Sequence, residues 1–341
     1  MTYTDVIRLG IVSLMTTADA RTIRWGIMAT GGIAEKLADD LALVDGSELA
    51  AVGSRRAEAA RDFAARHGAA RAHGSYEELV ADPDVDVVYV ATPHGRHLED
   101  VRLCFAAGKH VLCEKALTMN ATDSAALVDE ARERGLFFAE AMWMRTNPHI
   151  RRIGELVAAG ALGEVHQVRA ELGFAAPADR ARLWDPALGA SALLDVGIYP
   201  LTLAHLLLGE PSSISAAGVI GEGGIDVSAG ATLVYPSGAV ASIAWTQMAW
   251  GDGRAVVAGT EARVEVPGRF HHADEFTLVR DQVPTTTALP LIGHGYAHEI
   301  EEVARCLRAD LLESPLLPLD ETVSIQRQMD EILSQIGVPA R

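Results

Sequence analysis

The 341-residue chain predicts an α/β fold: first a doubly wound parallel sheet, then an α+β unit with a large, open-faced, mostly antiparallel sheet. Three observations carry that expectation. From about residue 22 to 145, short apolar runs alternate with helix-length amphipathic segments, the pattern of repeated βα units. The run Val85-Asp86-Val87-Val88-Tyr89-Val90-Ala91 is almost continuously apolar, as in a parallel sheet covered on both faces. Beyond Pro211 the runs alternate apolar and polar residues and are broken by Pro-Ser-Gly and Gly-Thr-Glu turns, which reads as antiparallel strands.

Composition narrows the function classes. The length suits about two domains, and 49% hydrophobic against 22% charged residues supplies a large core. A net charge of −17 and a pI near 5.1 argue against nucleic-acid partners, which need a basic face, and against anionic membranes. No run is expected to reach the roughly 18 apolar residues of a membrane helix. Cys104, Cys113 and Cys306 are odd in number and far apart, so they read as reduced thiols of a cytoplasmic protein. No H-E-x-x-H or Cys/His cluster points to a metal. Residues 1–21 read as an N-terminal arm or an overlong start. Ala18-Asp19-Ala20 has the form of a cleavage site, but the apolar run before it is short and Asp5 offsets Arg8.

Taken in order, Thr22 to Met28 is a first strand, and Ala29-Thr30-Gly31-Gly32-Ile33-Ala34 turns into a helix with Leu37, Leu41 and Val44 on one face. A Gly-rich turn there would aim backbone N–H groups and the helix N-terminus at a pyrophosphate. Against G-x-G-x-x-G the chain offers Ala29, Gly31 and Ala34, so only the middle glycine is kept. The second strand, Glu48 to Gly53, ends in Ser54-Arg55-Arg56 rather than an acidic residue. Without a carboxylate to repel a 2′-phosphate, a hydroxyl and two guanidiniums favour NADP(H) over NAD(H). A helix spans Ala57 to His67, and Ser75 is placed to cap a short helix.

The strand at Val85 to Ala91 ends in Thr92-Pro93-His94-Gly95-Arg96-His97, a turn expected over the cofactor. His94 and His97 read equally well as helix-start caps or as cofactor contacts. After the helix Leu98 to Ala107, Lys109 to Cys113 forms a strand that delivers Glu114-Lys115 where ligands of open α/β sheets bind. Asn120 caps the helix that ends at Arg134, and Leu136 to Ala139 is a strand followed by Glu140-Ala141-Met142-Trp143-Met144-Arg145.

The second domain is expected to cover 146–341, with the last helix either staying there or returning to the first domain. It opens with a helix from His149 to Ala159 and a strand from Gly163 to Ala170. Ser191 to Leu208 reads as one long apolar helix carrying Asp195 and Tyr199 one turn apart. A buried carboxylate beside a phenol is costly unless partnered, so the two are either a hydrogen-bonded structural pair or a proton-transfer pair. Helices return at Tyr296 to Arg308 and Asp320 to Ile336. A sheet with helices on one face leaves an open apolar face, and the simplest occupant is a second copy, giving a homodimer or a dimer of dimers.

Several of these stretches occur together and in order: Trp25-Gly26-Ile27 with Gly31, Gly74 to Leu79, Val111-Leu112-Cys113-Glu114-Lys115, Glu140 to Arg145, Leu194-Asp195-Val196-Gly197-Ile198-Tyr199, Tyr296 with Glu299, and Glu313-Ser314-Pro315. The set resembles the glucose–fructose oxidoreductase / inositol dehydrogenase / MocA family over about residues 22–338. Within the family, the resemblance is to dimeric dihydrodiol dehydrogenases and NADP-dependent D-xylose dehydrogenases. It implies a Rossmann domain (22–145) followed by a dimerising α/β domain. It also implies hydride transfer between nicotinamide C4 and a carbinol or carbonyl carbon of a sugar, cyclic polyol or trans-dihydrodiol.

By matching positions the resemblance makes Lys115 a contact to substrate or nicotinamide ribose. It makes Tyr199 the acid/base with Asp195 nearby, and it places the family's arginine at Arg145. The cofactor set is then Ala29, Thr30, Gly31, Gly32, Ile33, Ser54, Arg55, Arg56, Thr92, Pro93, His94, His97, Glu114, Lys115, Trp143 and Arg145. Lys115, Trp143, Arg182, Trp184, Asp195 and Tyr199 form the substrate set, with no metal. The family usually carries proline after the Glu-Lys pair; here it is Ala116.

The chemistry agrees with those roles. Removing a hydride from an alcohol also requires taking its proton. A free tyrosine ionises near pH 10, about three units too high for a good base at neutral pH, and a nearby ammonium lowers that value. Two alternatives share the scaffold: an NAD-dependent glycosidase that recycles its cofactor in place, and a non-catalytic NADP-binding regulator.

Overall fold

A computed structural model describes residues 21–339, so the expected arm at 1–21 lies almost wholly outside the described residues. Two compact units emerge: one runs to Thr146 and takes back Ile292–Val323, the other holds Asn147–Leu291 and the chain from Ser324 on.

The first unit contains six parallel strands, β1 (Ile23–Met28), β2 (Ser47–Gly53), β3 (Arg71–His73), β4 (Val87–Val90), β5 (His110–Glu114) and β6 (Phe138–Ala141), in the order β3-β2-β1-β4-β5-β6. The order reverses between β1 and β4, which is where doubly wound sheets bind ligands beyond their carboxyl ends. Helices α1 (Gly32–Leu41), α2 (Ala57–His67), α3 (Tyr76–Val80), α4 (His97–Ala106) and α5 (Ala121–Arg134) form the crossovers. Val87, Val88 and Val90 are fully buried, each stabilising the sheet by about 1.5–3 kcal/mol relative to exposure.

Two expected caps are present: Ser75 accepts the Glu78 N–H and Asn120 accepts the Asp123 N–H. The returning segment is tied in by a residue whose role sequence reasoning missed. Asp40, fully buried on α1, accepts the N–H groups of His294, Tyr296 and Ala297 at 2.7–3.1 Å. These N–H groups lead into and open a further helix, Ala297–Arg308, whose first turn has no intrahelical acceptors for its donors. Leu319 and Val323, on the first turns of the last helix, pack into the core of this first unit.

The second unit opens with α6 (Pro148–Ala158) and builds one eight-stranded sheet from β7 (Val165–Gly173), β8 (Ser213–Ile220), β9 (Asp226–Val234), β10 (Val240–Thr246), β11 (Ala255–Gly259), β12 (Ala262–Val266), β13 (Glu275–Arg280) and β14 (Val283–Ala288). Its order is β14-β13-β12-β11-β7-β10-β9-β8, and the β7–β10 pair is parallel while the other pairs are antiparallel. A helix, α7 (Ile198–Leu208), packs on β7 and β10. α8 (Ala297–Arg308) and α9 (Leu319–Gln335) are the remaining α-helices among the described residues.

The opposite sheet face carries Arg169, Thr232, Ser242 and Ala244, all exposed. It is therefore small and polar in part, not the plainly apolar face expected.

The helix expected from Ser191 begins differently. Leu193–Gly197 is a π-helical turn, and regular α7 starts at Ile198. Asp226, fully buried, accepts the Ser191 hydroxyl at 2.5 Å, the Leu193 N–H at 2.7 Å and the Trp245 indole N–H at 3.1 Å. Gly197 lies flat against Trp245; a Cβ there would stand 2.8 Å from the indole. These anchors fix the turn's width against β10, which periodicity alone does not encode. Residues 186–208 are also long and apolar enough to cross a membrane, contrary to expectation, but 83% of the qualifying window is buried in protein.

Candidate active site

In the first unit the expected residues gather at the carboxyl ends of the strands. After β1, Ala29 has φ +83°, in the left-handed region where a side chain costs about 1–2 kcal/mol. That backbone explains why the dinucleotide fingerprint favours glycine at this point. Its N–H donates to the Gly53 carbonyl at 2.9 Å, tying the Gly-rich turn to the end of β2. Gly31 is the extended N-cap of α1, and no atom lies within 4 Å of where a Cβ on Gly31 or Gly32 would stand. Open space over a helix N-terminus with unsatisfied N–H groups suits a pyrophosphate.

Ser54 is buried and accepts the Arg56 N–H at 3.3 Å, whereas Arg55 and Arg56 are exposed. Arg55 also bonds the Tyr76 hydroxyl, although burial remains the larger influence and raises that phenol. Thr92, at the end of β4, buries a hydroxyl that has no partner among the described residues. The open Gly31–Gly32 cradle, the cationic 54–56 turn and this hydroxyl together fit a phosphorylated dinucleotide.

His97 is not placed as either expectation had it. Its ring is fully buried, with Nδ1 3.0 and 3.2 Å from the Ala116 and Leu117 carbonyls and Nε2 2.8 Å from the Thr92 carbonyl. Each nitrogen thus faces backbone carbonyls, and a neutral imidazole, with a single N–H, donates on one side only; the ring is enclosed by backbone on both sides, which removes His97 as a helix cap or a cofactor contact. Burial holds its imidazole below the usual range. His94 Nε2 lies 3.0 Å from the Lys115 carbonyl.

Lys115 is half-buried at the end of β5, and the Lys115–Ala116 peptide is cis. Glu114 accepts the Tyr89 hydroxyl and, at 3.2 Å, the Lys115 N–H. Glu299 is fully buried near Glu114 and Asp40, and desolvation followed by those charges pushes its carboxyl well above the usual range. Trp143 packs on Tyr296 at 4.8 Å between centroids, and Arg145 is buried in an ion pair with Glu321 at 2.6 Å. The arginine's charge is thus balanced within its own unit.

In the second unit, Asp195 lies in the π turn and receives Arg182 Nη1 at 3.2 Å. Tyr199 is buried on the first turn of α7 with its ring against His271, 4.6 Å between centroids. His271 was not anticipated, because it sits in a short turn after β12 with no motif around it. Its backbone is held by Asn147, whose amide donates to the His271 carbonyl at 3.3 Å. The Trp184 indole N–H donates to the Pro177 carbonyl at 2.9 Å, and its ring borders a cavity of about 500 Å³ shared with Val227 and Met248. Among the described residues no group of acidic, His or Cys side chains could hold a metal ion.

A six-stranded parallel sheet in the order β3-β2-β1-β4-β5-β6, with an open glycine turn after β1 and a lysine after β5, has the architecture of a dinucleotide-binding domain. Comparison with known proteins is more specific. Residues 23–141 match the oxidoreductase family with an NAD-binding Rossmann fold, and residues 150–265 match the GFO/IDH/MocA C-terminal domain. The chain therefore belongs to the GFO/IDH/MocA family and is an NAD(P)-dependent dehydrogenase acting on CH–OH groups.

It is 35% identical over 328 residues to trans-1,2-dihydrobenzene-1,2-diol dehydrogenase of Bos taurus, covering 93% of this chain and 97% of the relative. It is 35% identical over 370 aligned residues to the D-xylose 1-dehydrogenase (NADP(+)) of Hypocrea jecorina, covering 95% and 94%. The fold also matches the crystal structure of aldose–aldose oxidoreductase from Caulobacter crescentus with TM-score 0.86 at 24% identity, covering 93% and 98%.

Proposed function

We propose that this protein transfers hydride between NADP(H) and a carbinol or carbonyl carbon of a sugar, cyclic polyol or trans-dihydrodiol. Tyr199 is the acid/base, assisted by Lys115. The observation that carries the reading is Lys115 at the carboxyl end of β5, on the same sheet rim as the open Gly31–Gly32 cradle. The names of the relatives support the substrate classes.

When bound, the nicotinamide provides the carbon that accepts or gives the hydride. The chain's own residues do the rest. Gly31, Gly32 and Ile33 hold the pyrophosphate through backbone N–H groups, and Ser54, Arg55 and Arg56 hold the 2′-phosphate. Ala29, Thr30, Thr92, Pro93, His94, Glu114 and Trp143 would complete the cofactor's contacts. Tyr199 Oη takes the hydroxyl proton, the Lys115 ammonium favours the phenolate and the developing alkoxide, and Asp195 with Arg182 orients neighbouring hydroxyls. Trp184 offers an aromatic wall to a ring. Arg145 acts as structural support through Glu321.

The test is a panel of aldoses, inositols and trans-dihydrodiols, with NADP and NAD side by side, followed by NADPH or NADH absorbance. Turnover with at least one substrate class, better with NADP, is expected. Release of sugar from aryl glycosides without net NADPH would instead favour the glycosidase, and tight NADP binding with no turnover the regulator.

A homodimer through the exposed sheet face belongs to the same proposal, as does a cytoplasmic location, which accords with three unlinked buried thiols. Solution scattering at micromolar concentration should give a dimer's mass; a monodisperse monomer would contradict the assembly.

A further inference from the structure

The turn that follows Lys115 is fastened by side chains from three strand ends. The Lys115 N–H donates to Glu114 Oε2 at 3.2 Å, and the Lys115 carbonyl meets His94 Nε2 at 3.0 Å. The Ala116 and Leu117 carbonyls both face His97 Nδ1. On the other side, the Leu117 N–H donates to Glu140 Oε1 at 3.0 Å. His97 Nε2 lies 2.8 Å from the Thr92 carbonyl beyond β4, so the buried ring is wedged between that carbonyl and the turn, donating to one of them, while Glu140 ties the turn to β6. His97 is 0% and Glu140 4% exposed, so water competes with neither bond. Ala116 has no ring with which to restrain the backbone itself.

Resting on the proposed function and deepening it, we propose that Glu140 and His97 are positioning residues for Lys115: they hold the turn that presents its ammonium, and the charge on Glu140 sets how firmly it is held. Burial pushes the Glu140 carboxyl up to about 7, against the opposing pull of the Leu117 N–H, the Thr322 hydroxyl, and the Arg145 and Lys115 charges. The Cys113 thiol on β5 is a further titratable neighbour. Arg145 is itself engaged by Glu321. Ionised, Glu140 makes a charge-assisted bond to Leu117 and attracts the ammonium; protonated, it does both less well. Activity that depends on Lys115 therefore falls as pH drops through about 7.

The experiment uses the full chain and the variants Glu140→Gln and His97→Asn. It reads kcat and KM across the neutral pH range, NADP affinity by titration, and amide hydrogen exchange of residues 115–118. Glu140→Gln keeps the volume and an acceptor but cannot ionise. A misplaced Lys115 should lower kcat about 10- to 100-fold while the KM for NADP changes little. The acid-side fall in kcat should vanish in this variant, and exchange at Leu117 should quicken.

His97→Asn should quicken exchange at the same residues, and it carries the test if Glu140→Gln fails to fold. Unchanged exchange and an intact acid-side fall would overturn the proposal. So would proportional loss of NADP affinity and kcat without faster exchange in the turn. The two readings fail separately. If Lys115→Met leaves turnover intact, the proposed function fails, while exchange still reports on the brace. If Lys115→Met abolishes turnover but the brace variants change nothing, only the brace fails.

Discussion

Tyr199→Phe is expected to lower kcat by about 10²- to 10⁴-fold, the usual worth of a positioned acid/base. NADP affinity should stay near that of the unmodified protein. The hydroxyl is the only group removed, and the ring itself is buried against His271 on the first turn of α7. Phenylalanine preserves that packing, so the melting temperature should move little. Because the lost interaction acts on the proton in flight, kcat and kcat/KM should fall together, with KM nearly constant. Stopped-flow absorbance with the best substrate of the panel makes the measurement. A variant that turns over at the unmodified rate would remove Tyr199 from the mechanism.

Lys115→Met should cost about 10²- to 10³-fold, the scale seen when a fixed donor at developing charge is deleted. Methionine matches the stem's length and apolar character but carries no charge. Two consequences follow from one ammonium. The alkoxide loses its stabiliser, and the phenol loses the charge that favours its ionised form. The sign can be worked out. A phenol whose ionisation is no longer favoured needs a higher pH to act as a base. The residual oxidation rate of Lys115→Met should therefore keep climbing into the alkaline range, toward the value of about 10 for a free tyrosine. In the unmodified protein it should level off earlier. Identical profiles for the two proteins would separate Lys115 from Tyr199 and leave the lysine a binding role at most.

Much of the fold was legible in the chain because its rules are local. β1, β2, β4, β5 and β6 came from short apolar runs, since a strand covered on both faces needs little else; the edge strand β3, Arg71-Ala72-His73, has no such run and was not anticipated. The Ser75 and Asn120 caps came from single residues whose side chains reach the N–H three positions on. Ala57 to His67 was bounded by a turn and by Gly68, whose φ of +73° stops the helix. The Glu114–Lys115 pair was visible as charge at the end of an apolar strand, and the 54–56 turn as an absent carboxylate.

What the chain alone left undecided involves partners distant in sequence. His97 could be a cap or a cofactor contact until its ring was seen between Thr92 and the Ala116–Leu117 turn, 19 and 20 residues away. The π turn at Leu193–Gly197 depends on Asp226 and Trp245, and periodicity cannot announce a grip from another strand. His271 beside Tyr199 and Asp40 at the start of Ala297–Arg308 belong to the same class. Glu140 read only as part of a stretch before Arg145; its hold on Leu117 exists because β5 and β6 are neighbours in the sheet.

The sequence by itself thus determined the two-unit α/β architecture, the dinucleotide turn and the charged residues at the strand ends, because periodicity, capping and composition act within a few residues. Only the tertiary structure decided which of those residues are buried against backbone or ion-pair partners and which stand exposed. A buried hydrogen bond is settled by whatever the folded chain brings within about 3 Å.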